Sequence, residues 1–367
     1  MKFWDHQADA RSETRRLLLG FAVAVVVLVA AVHAALALAW WLMAMVLPVH
    51  LPPPEGFLVA NVGLSLMLVL GGWWLETSNL RAGGVKLAKR IGARELRPSL
   101  SLAEQRLSNI VDELCIAAHM PRPQVMVVPR TDAINAFAAG WDESDAVIAV
   151  TQGALDYLTR DEMQGMVAHE LSHLHEGDTR LKMQLAGMVF GLELVHNFGD
   201  TVRERPGLAW WFGSAVKVAG FAGWLTGRIL KAAVSRQREY LADARAVQWT
   251  RSRDGLGGVL RKVMTQRVAA APGYEGPSHG GLHHPTVQHM LLVDVEAVGF
   301  MARWLHTHPT LEERVQRLYG RRMLPLPVEV VAVEPEGNPR QAGSAAEASA
   351  QQGPTIASLV DPYARFM

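Results

Sequence analysis

"VAHELSHLHEGD", residues 167–178, sets two histidines four positions apart around a glutamate. On an α-helix, residues i and i+4 share one face a turn apart, so His169 and His173 can aim two imidazoles at one point with Glu170 beside them. H-E-x-x-H on a helix is the pattern of two zinc-binding histidines and a glutamate placed to act as a base. With 14 histidines in 367 residues, a chance match to so short a pattern has odds on the order of a few per cent. The reading therefore depends on a surrounding helix, a third ligand and groups that orient the ligands.

The context supplies the helix. "TRDE" (159–162) is a capping box that opens it, and Gly177 closes it. Strands come before: "QVMVV" (124–128) reads as one, and "INAFAAGWDESDAVIAVT" (134–151) reads as a hairpin, two β-prone runs flanking "WDESD". A second capping box, "SLAE" (101–104), is followed by Leu107, Ile110, Val111, Leu114 and Ala118 at helix spacing. From about residue 100 the chain thus reads as a mostly helical α+β domain. Cys115 sits in that apolar pattern and reads as a core side chain.

Two histidines leave a tetrahedral zinc one protein ligand short, and a single cysteine excludes Cys₄ and Cys₂His₂ sites as well as an intramolecular disulfide. "VSRQREYLADARAV" (234–247) offers Glu239 and Asp243 one helical turn apart. Alone, that pair predicts a solvated helix face. Beside HELSH, it reads as a third ligand, Glu239, with Asp243 able to hydrogen-bond the outer nitrogen of a ligand histidine and raise its basicity.

The N-terminus belongs to a different solvent. Residues 17–47 hold no formal charge over 31 positions and residues 57–75 none over 19, with "PVHLPPPEG" between them. A membrane span needs about 20 residues, so this reads as a transmembrane helical hairpin within 1–80. The first run far exceeds the 7–15 apolar residues of a cleaved signal. Lys2, Arg11, Arg15 and Arg16 precede the hairpin and Arg81, Lys86, Lys89, Arg90 and Arg94 follow it, which places both ends, and the domain beyond, in the cytoplasm. Residues 183–199 and 208–230 are two further apolar runs, in which Glu193, His196 and Lys217 need a partner or a wet cavity. Sixty-five residues separate His173 from Glu239, more than two ligand helices require, so 183–233 reads as a second membrane hairpin inserted in a domain spanning 81–325. "HGGLHHPTVQH" (279–289) reads as a solvated histidine loop, and 326–367 as a flexible tail. The net charge of +1 gives no electrostatic case for nucleic acid.

"HELSHLHEGD", then "SRQREYLAD", then "THPTLEERVQRL" (307–318), behind a membrane hairpin, resembles the HtpX-like membrane metallopeptidases, relatives of the CAAX prenyl endopeptidases. The resemblance runs from residue 17 to about 320. It implies a gluzincin fold, one Zn²⁺ per chain on His169, His173 and Glu239, Glu170 as general base, Asp243 behind a ligand, and His308 near the site as an oxyanion donor. "INAFAAG" (134–140) is similar to the strand that precedes the metal helix in that family, and an extended substrate is expected along Asn135, Ala136, Phe137 and Ala138. The implied activity is zinc-dependent endoproteolysis of membrane-associated or misfolded proteins in a bacterial inner membrane. Dedicated processing of one membrane substrate is the alternative, and a non-catalytic scaffold is disfavoured because all four catalytic positions survive.

Overall fold

The computed structural model describes residues 3–46, 52–269, 277–293 and 309–332. The N-terminal run forms α1 (Phe3–Val46), which begins well ahead of the apolar stretch, and α2 (Phe57–Leu80) follows it. Within them, Leu17–Val46 and Phe57–Leu80 are long and apolar enough to cross a membrane. Leu19, Val26, Val59 and Trp74 are exposed on these helices. Exposed apolar side chains of that kind mark a surface that meets a membrane or a partner.

The chain continues with α3 (Gly84–Arg90), β1 (Arg94–Glu95) and α4 (Leu102–Ala118). Next come β2 (Gln124–Val128), β3 (Ala136–Ala139), β4 (Val147–Thr151) and α5 (Gln152–Tyr157). The strand order is β1-β2-β4-β3: β2 and β4 pair in parallel, while β3 pairs antiparallel to β4 as the hairpin reading requires. β3 is thus an edge of the sheet. Leu107, Ile110, Val111, Leu114 and Cys115 of α4 are buried in the main core, and burial pushes the Cys115 thiol up to about 11.

α6 (Arg160–His175) carries HELSH. Its capping box is complete: Thr159 Oγ1 accepts from the Glu162 amide, and the Thr159 amide returns 2.8 Å to Glu162 Oε2. The other expected box is half formed. Ser101 accepts from the Glu104 amide, but the Glu104 carboxylate is drawn to Arg94, 2.6 Å away, and to the Arg97 amide. A charged, bidentate partner outcompetes the N-cap amide.

α7 (Asp178–Arg203) and α8 (Leu208–Thr250) form one long hairpin, followed by α9 (Arg253–Ala269), a 3₁₀ turn (Gly280–His283), α10 (Pro285–Gln288) and α11 (Leu311–Tyr319). α7 and α8 pack side by side with α1 and α2 as a four-helix bundle. Trp211 Nε1 donates to Ala39 O at 2.9 Å at one end, and Leu230 lies against Gly20 at the other. Nineteen residues separate these contacts on both helices, about 29 Å at 1.5 Å per residue, close to a bilayer's hydrocarbon thickness. The α7–α8 turn therefore lies at the same end as the α1–α2 loop, where Trp40 packs on Phe57 and Phe212. Lys217 does not stand alone: its Nζ is 2.6 Å from Asp200 Oδ1 at that end. The His196 imidazole meets Lys217 O at 2.9 Å, and Asn61 Nδ2 lies 3.5 Å from His33 Nδ1.

Residues 279–289, read as a solvated loop, pack instead into the domain together with the four residues that follow them. Leu282, Val287, Met290 and Leu291 are buried in a second core cluster with Phe137 and Met183. The polar histidines hid an apolar pattern interleaved with them. Residues 326–331 run along the domain, with Leu326 N donating to Arg261 O (3.2 Å) and Val331 N to Asp156 O (2.8 Å). The rest of the expected tail, 333–367, lies outside the described residues.

Glycine sets the bundle's spacing, as small residues do where helices pack without a hydrophobic drive between them. A Cβ on Gly191 would stand 2.3 Å from Val69 O, and one on Gly220 would stand 2.6 Å from His196 Cα. Gly191→Leu is expected to cost about 3 kcal/mol or more by forcing α2 off α7. Gly63→Leu, with open space around it, should be neutral. Thermal unfolding in detergent checks this, and equal midpoints for the two variants would remove the glycine contact as the cause.

Candidate metal centre

α6 delivers His169 and His173 on one face, with the imidazoles edge to face at 4.9 Å between centroids. α8 brings Glu239 between them: Glu239 Oε2 is 3.4 Å from His169 Nε2, and Oε1 is 3.4 Å from His173 Nε2. All three residues are buried, and their ligand atoms lie within 4.8 Å of one another, the one such group among the described residues. The sequence-expected set is therefore brought together in space from two helices, with sixty-five residues between His173 and Glu239.

Each imidazole is held from behind. His169 Nδ1 is 3.0 Å from Asp243 Oδ1, as the E-x-x-x-D spacing predicts. His173 Nδ1 is 2.9 Å from Asp178 Oδ2, and Arg238 pairs with the other oxygen of that carboxylate. Carboxylates on both Nδ1 atoms fix the tautomers so that both Nε2 lone pairs face inward. Arg314 of α11 closes the arrangement with a fork to Asp243, 2.6 and 2.9 Å, and lies 3.7 Å from Glu239 Oε2. Lys182 Nζ is 3.5 Å from Glu239 Oε1.

The charges tune one another. Burial alone would raise the Asp243 carboxyl, but Arg314 and His169 outweigh it and hold the group below the usual carboxylate range. Burial would likewise lower the Arg314 guanidinium, whereas Asp243, Glu239 and Glu170 raise it. Asp243 is thus a fixed anion, suited to orient an imidazole and not to exchange protons. Glu170 is different: 1% exposed, it has two buried carboxylate oxygens without a hydrogen-bond partner. A buried carboxylate left unsatisfied is costly unless something polar completes the site.

Asp178, Lys182 and Arg314 were missed in the sequence. Asp178 closes the quoted stretch, but its role needs the turn at Gly177 (φ 73°) that swings α7 back beside α6. Arg314 gives no local signal at all, because its partner lies 71 positions away. His308 lies outside the described residues. Asn135, Ala136, Phe137 and Ala138 are all buried at the β3 edge.

Residues 101–322 match Peptidase family M48. The chain belongs to that family. It is accordingly a metalloprotease, with a metal cofactor and peptide or protein substrates, and with two N-terminal helices fit to cross a membrane. It is 35% identical over 219 residues to a protease HtpX homolog of Dictyoglomus thermophilum, covering 58% of this chain and 68% of that one. A homolog of the same name from Syntrophobacter fumaroxidans is 28% identical over 279 residues, 72% and 89% of the two chains. A third, from Pyrococcus furiosus, is 33% identical over 224 residues, 58% and 72%. A crystal structure of S. mikatae Ste24p aligns over 71% of this chain and 64% of that one, at 13% identity and a TM-score of 0.35.

Glu239→Ala is expected to weaken metal binding by orders of magnitude, since two protein ligands remain. Asp243→Asn and Asp178→Asn should each cost about 10–100-fold. Metal content by elemental analysis and chelator competition reads both, and one tightly held metal in Glu239→Ala would place the third ligand elsewhere.

Proposed function

We propose that the protein is a membrane-embedded zinc endopeptidase that cuts membrane-associated or misfolded proteins at the cytoplasmic surface of a bacterial inner membrane. The observation that carries this is the orphaned Glu170 carboxylate beside His169, His173 and Glu239. The donor set fits zinc. Ligand atoms 2.0–2.1 Å from a tetrahedral zinc stand about 3.4 Å apart; His169 Nε2 lies 3.4 Å from Glu239 Oε2 and His173 Nε2 lies 3.4 Å from Oε1.

Bound there, one zinc per chain supplies a polarised scissile carbonyl and a water acidic enough to ionise near neutral pH. His169, His173 and Glu239 hold the ion, and Asp243 and Asp178 keep both imidazoles in the ligating tautomer. Glu170 takes the proton of the attacking water and passes it to the leaving amine. The backbone of Asn135–Ala138 aligns an extended substrate with little demand on its side chains, which suits broad quality-control specificity. His308 serves as a second donor to the developing oxyanion. What supports that role is α11, which begins three residues later and is pinned to the site through Arg314.

Residues 183–233 cross the membrane as a second hairpin in this reading. Supporting it are the depth of the α1–α8 contacts and the pairing of Lys217 with Asp200, which offsets part of the cost of an intramembrane charge. α8 then runs straight from the bilayer to Glu239, and substrates are cut close to the lipid.

Glu170→Gln should keep stoichiometric zinc and lose hydrolysis of an unfolded test protein by at least about 10²-fold, the lower range of general-base catalysis. Near-normal turnover would remove Glu170 as the base. A cysteine at Thr201, in a Cys115→Ser background, should react with a membrane-impermeant maleimide from the non-cytoplasmic side. Labelling from the cytoplasm alone leaves two spans.

A further inference from the structure

The outer edge of β3 is already paired with this chain's own backbone. Leu291 bridges Phe137 in antiparallel register, and Leu292 N donates to Ala136 O at 2.9 Å. Asn135 grips the same segment with both ends of its amide: Nδ2 donates to Val293 O (2.9 Å) and Oδ1 accepts from Val293 N (3.4 Å). Arg314 Nη1 donates to Leu292 O at 2.9 Å from the guanidinium that also holds Asp243. Three residues upstream, His289 Nε2 meets Lys182 O at 2.9 Å, and Lys182 Nζ faces Glu239. The segment therefore lies along the edge strand and reaches the neighbours of the metal ligands.

Its upstream end is tied to the membrane hairpin. Thr286 Oγ1 donates to Glu76 Oε1 at 2.8 Å. Glu76, on α2 and 1% exposed, also accepts from Arg90 Nη1 at 3.0 and 3.2 Å. If Thr286 lets go, Glu76 keeps Arg90, so the contact opens without stranding a buried charge. The rest of the segment does not fray so easily. Met290, Leu291, Leu292 and Val293 are all buried, and they must leave together.

We propose that residues 286–293 are a strap that occupies the substrate strand in place of a substrate, latched to the membrane hairpin by Thr286 and Glu76, so that the peptidase is latent until the latch opens. The strap satisfies the groups an incoming peptide must pair with: the Ala136 carbonyl and both ends of the Asn135 amide. One extended backbone replaces another there, since main-chain pairing on a sheet edge accepts any sequence. The latch sits at the end of α2, so movement of the membrane hairpin is the event that releases the strap. This rests on the reading of β3 as the substrate strand of an active peptidase.

The test uses the full, zinc-loaded chain in detergent micelles, with two readouts: amide hydrogen exchange at Leu292 and hydrolysis of fluorescently labelled casein. Thr286→Val exchanges a hydroxyl for a methyl of the same shape and should raise both about tenfold or more, the scale of one hydrogen bond to a charged group. Thr286→Ser keeps the hydroxyl and should match the parent. Glu170→Gln combined with Thr286→Val should show the faster exchange without hydrolysis. A peptide hydroxamate, competing for the same edge, should deprotect Leu292 in the parent chain. Faster exchange with unchanged hydrolysis overturns the strap and leaves the peptidase standing, as does Leu292 protection that survives bound hydroxamate. Unchanged exchange in Thr286→Val overturns the latch. Absence of hydrolysis in every zinc-loaded form defeats the peptidase reading and the strap with it.

Discussion

Four carboxylates, from Glu170, Asp178, Glu239 and Asp243, are buried in one small volume with two imidazoles. Burying an ion costs several kcal/mol even after relaxation, so the fold must bring cations to the same place. It brings them from separate elements: Arg314 from α11, Lys182 from α7 and Arg238 from α8. A bound metal supplies the remainder. This charge balance is what obliges α6, α7, α8 and α11 to converge, and it explains why α11, short and distant in sequence, is seated against the centre. Its buried face carries Leu311 and Val315 into the core on either side of Arg314, so packing and ion pairing select the same position.

Much of the centre was legible because helices write their geometry in spacing. His169 and His173, and again Glu239 and Asp243, stand four apart, and each pair keeps one face as expected. The strands and the capping box at Thr159 were equally local. What the sequence hid was non-local. Arg314 reads as one charged residue on an amphipathic helix until Asp243 stands opposite it. The 279–289 segment misled for a related reason: its histidines look solvated, yet His289 is 3% exposed because Lys182 O is there to receive it. The capping box at Ser101 failed where Arg94, from β1, claimed the glutamate.

The bundle and the metal centre share a part. α8 is unbroken over 43 residues, about 65 Å, from Leu208 in the bundle past Glu239 to Thr250. α7 is joined to the HELSH helix by two residues, Glu176 and Gly177. Neither ligand helix can shift without its bundle segment following.

That continuity makes α8 a lever. From Lys217 to Glu239 is 22 residues, an arm of about 33 Å. A rotation of only about 2° around the bundle end carries the Glu239 carboxylate roughly 1 Å, twice the tolerance of about 0.5 Å that a preorganised site allows. The glycine contacts that clamp α7 to α8, Gly199 against Lys217 and Gly220 against His196, are the fulcrum. Their tightness, far from His169 and His173, sets how sharply the Glu239 carboxylate is aimed.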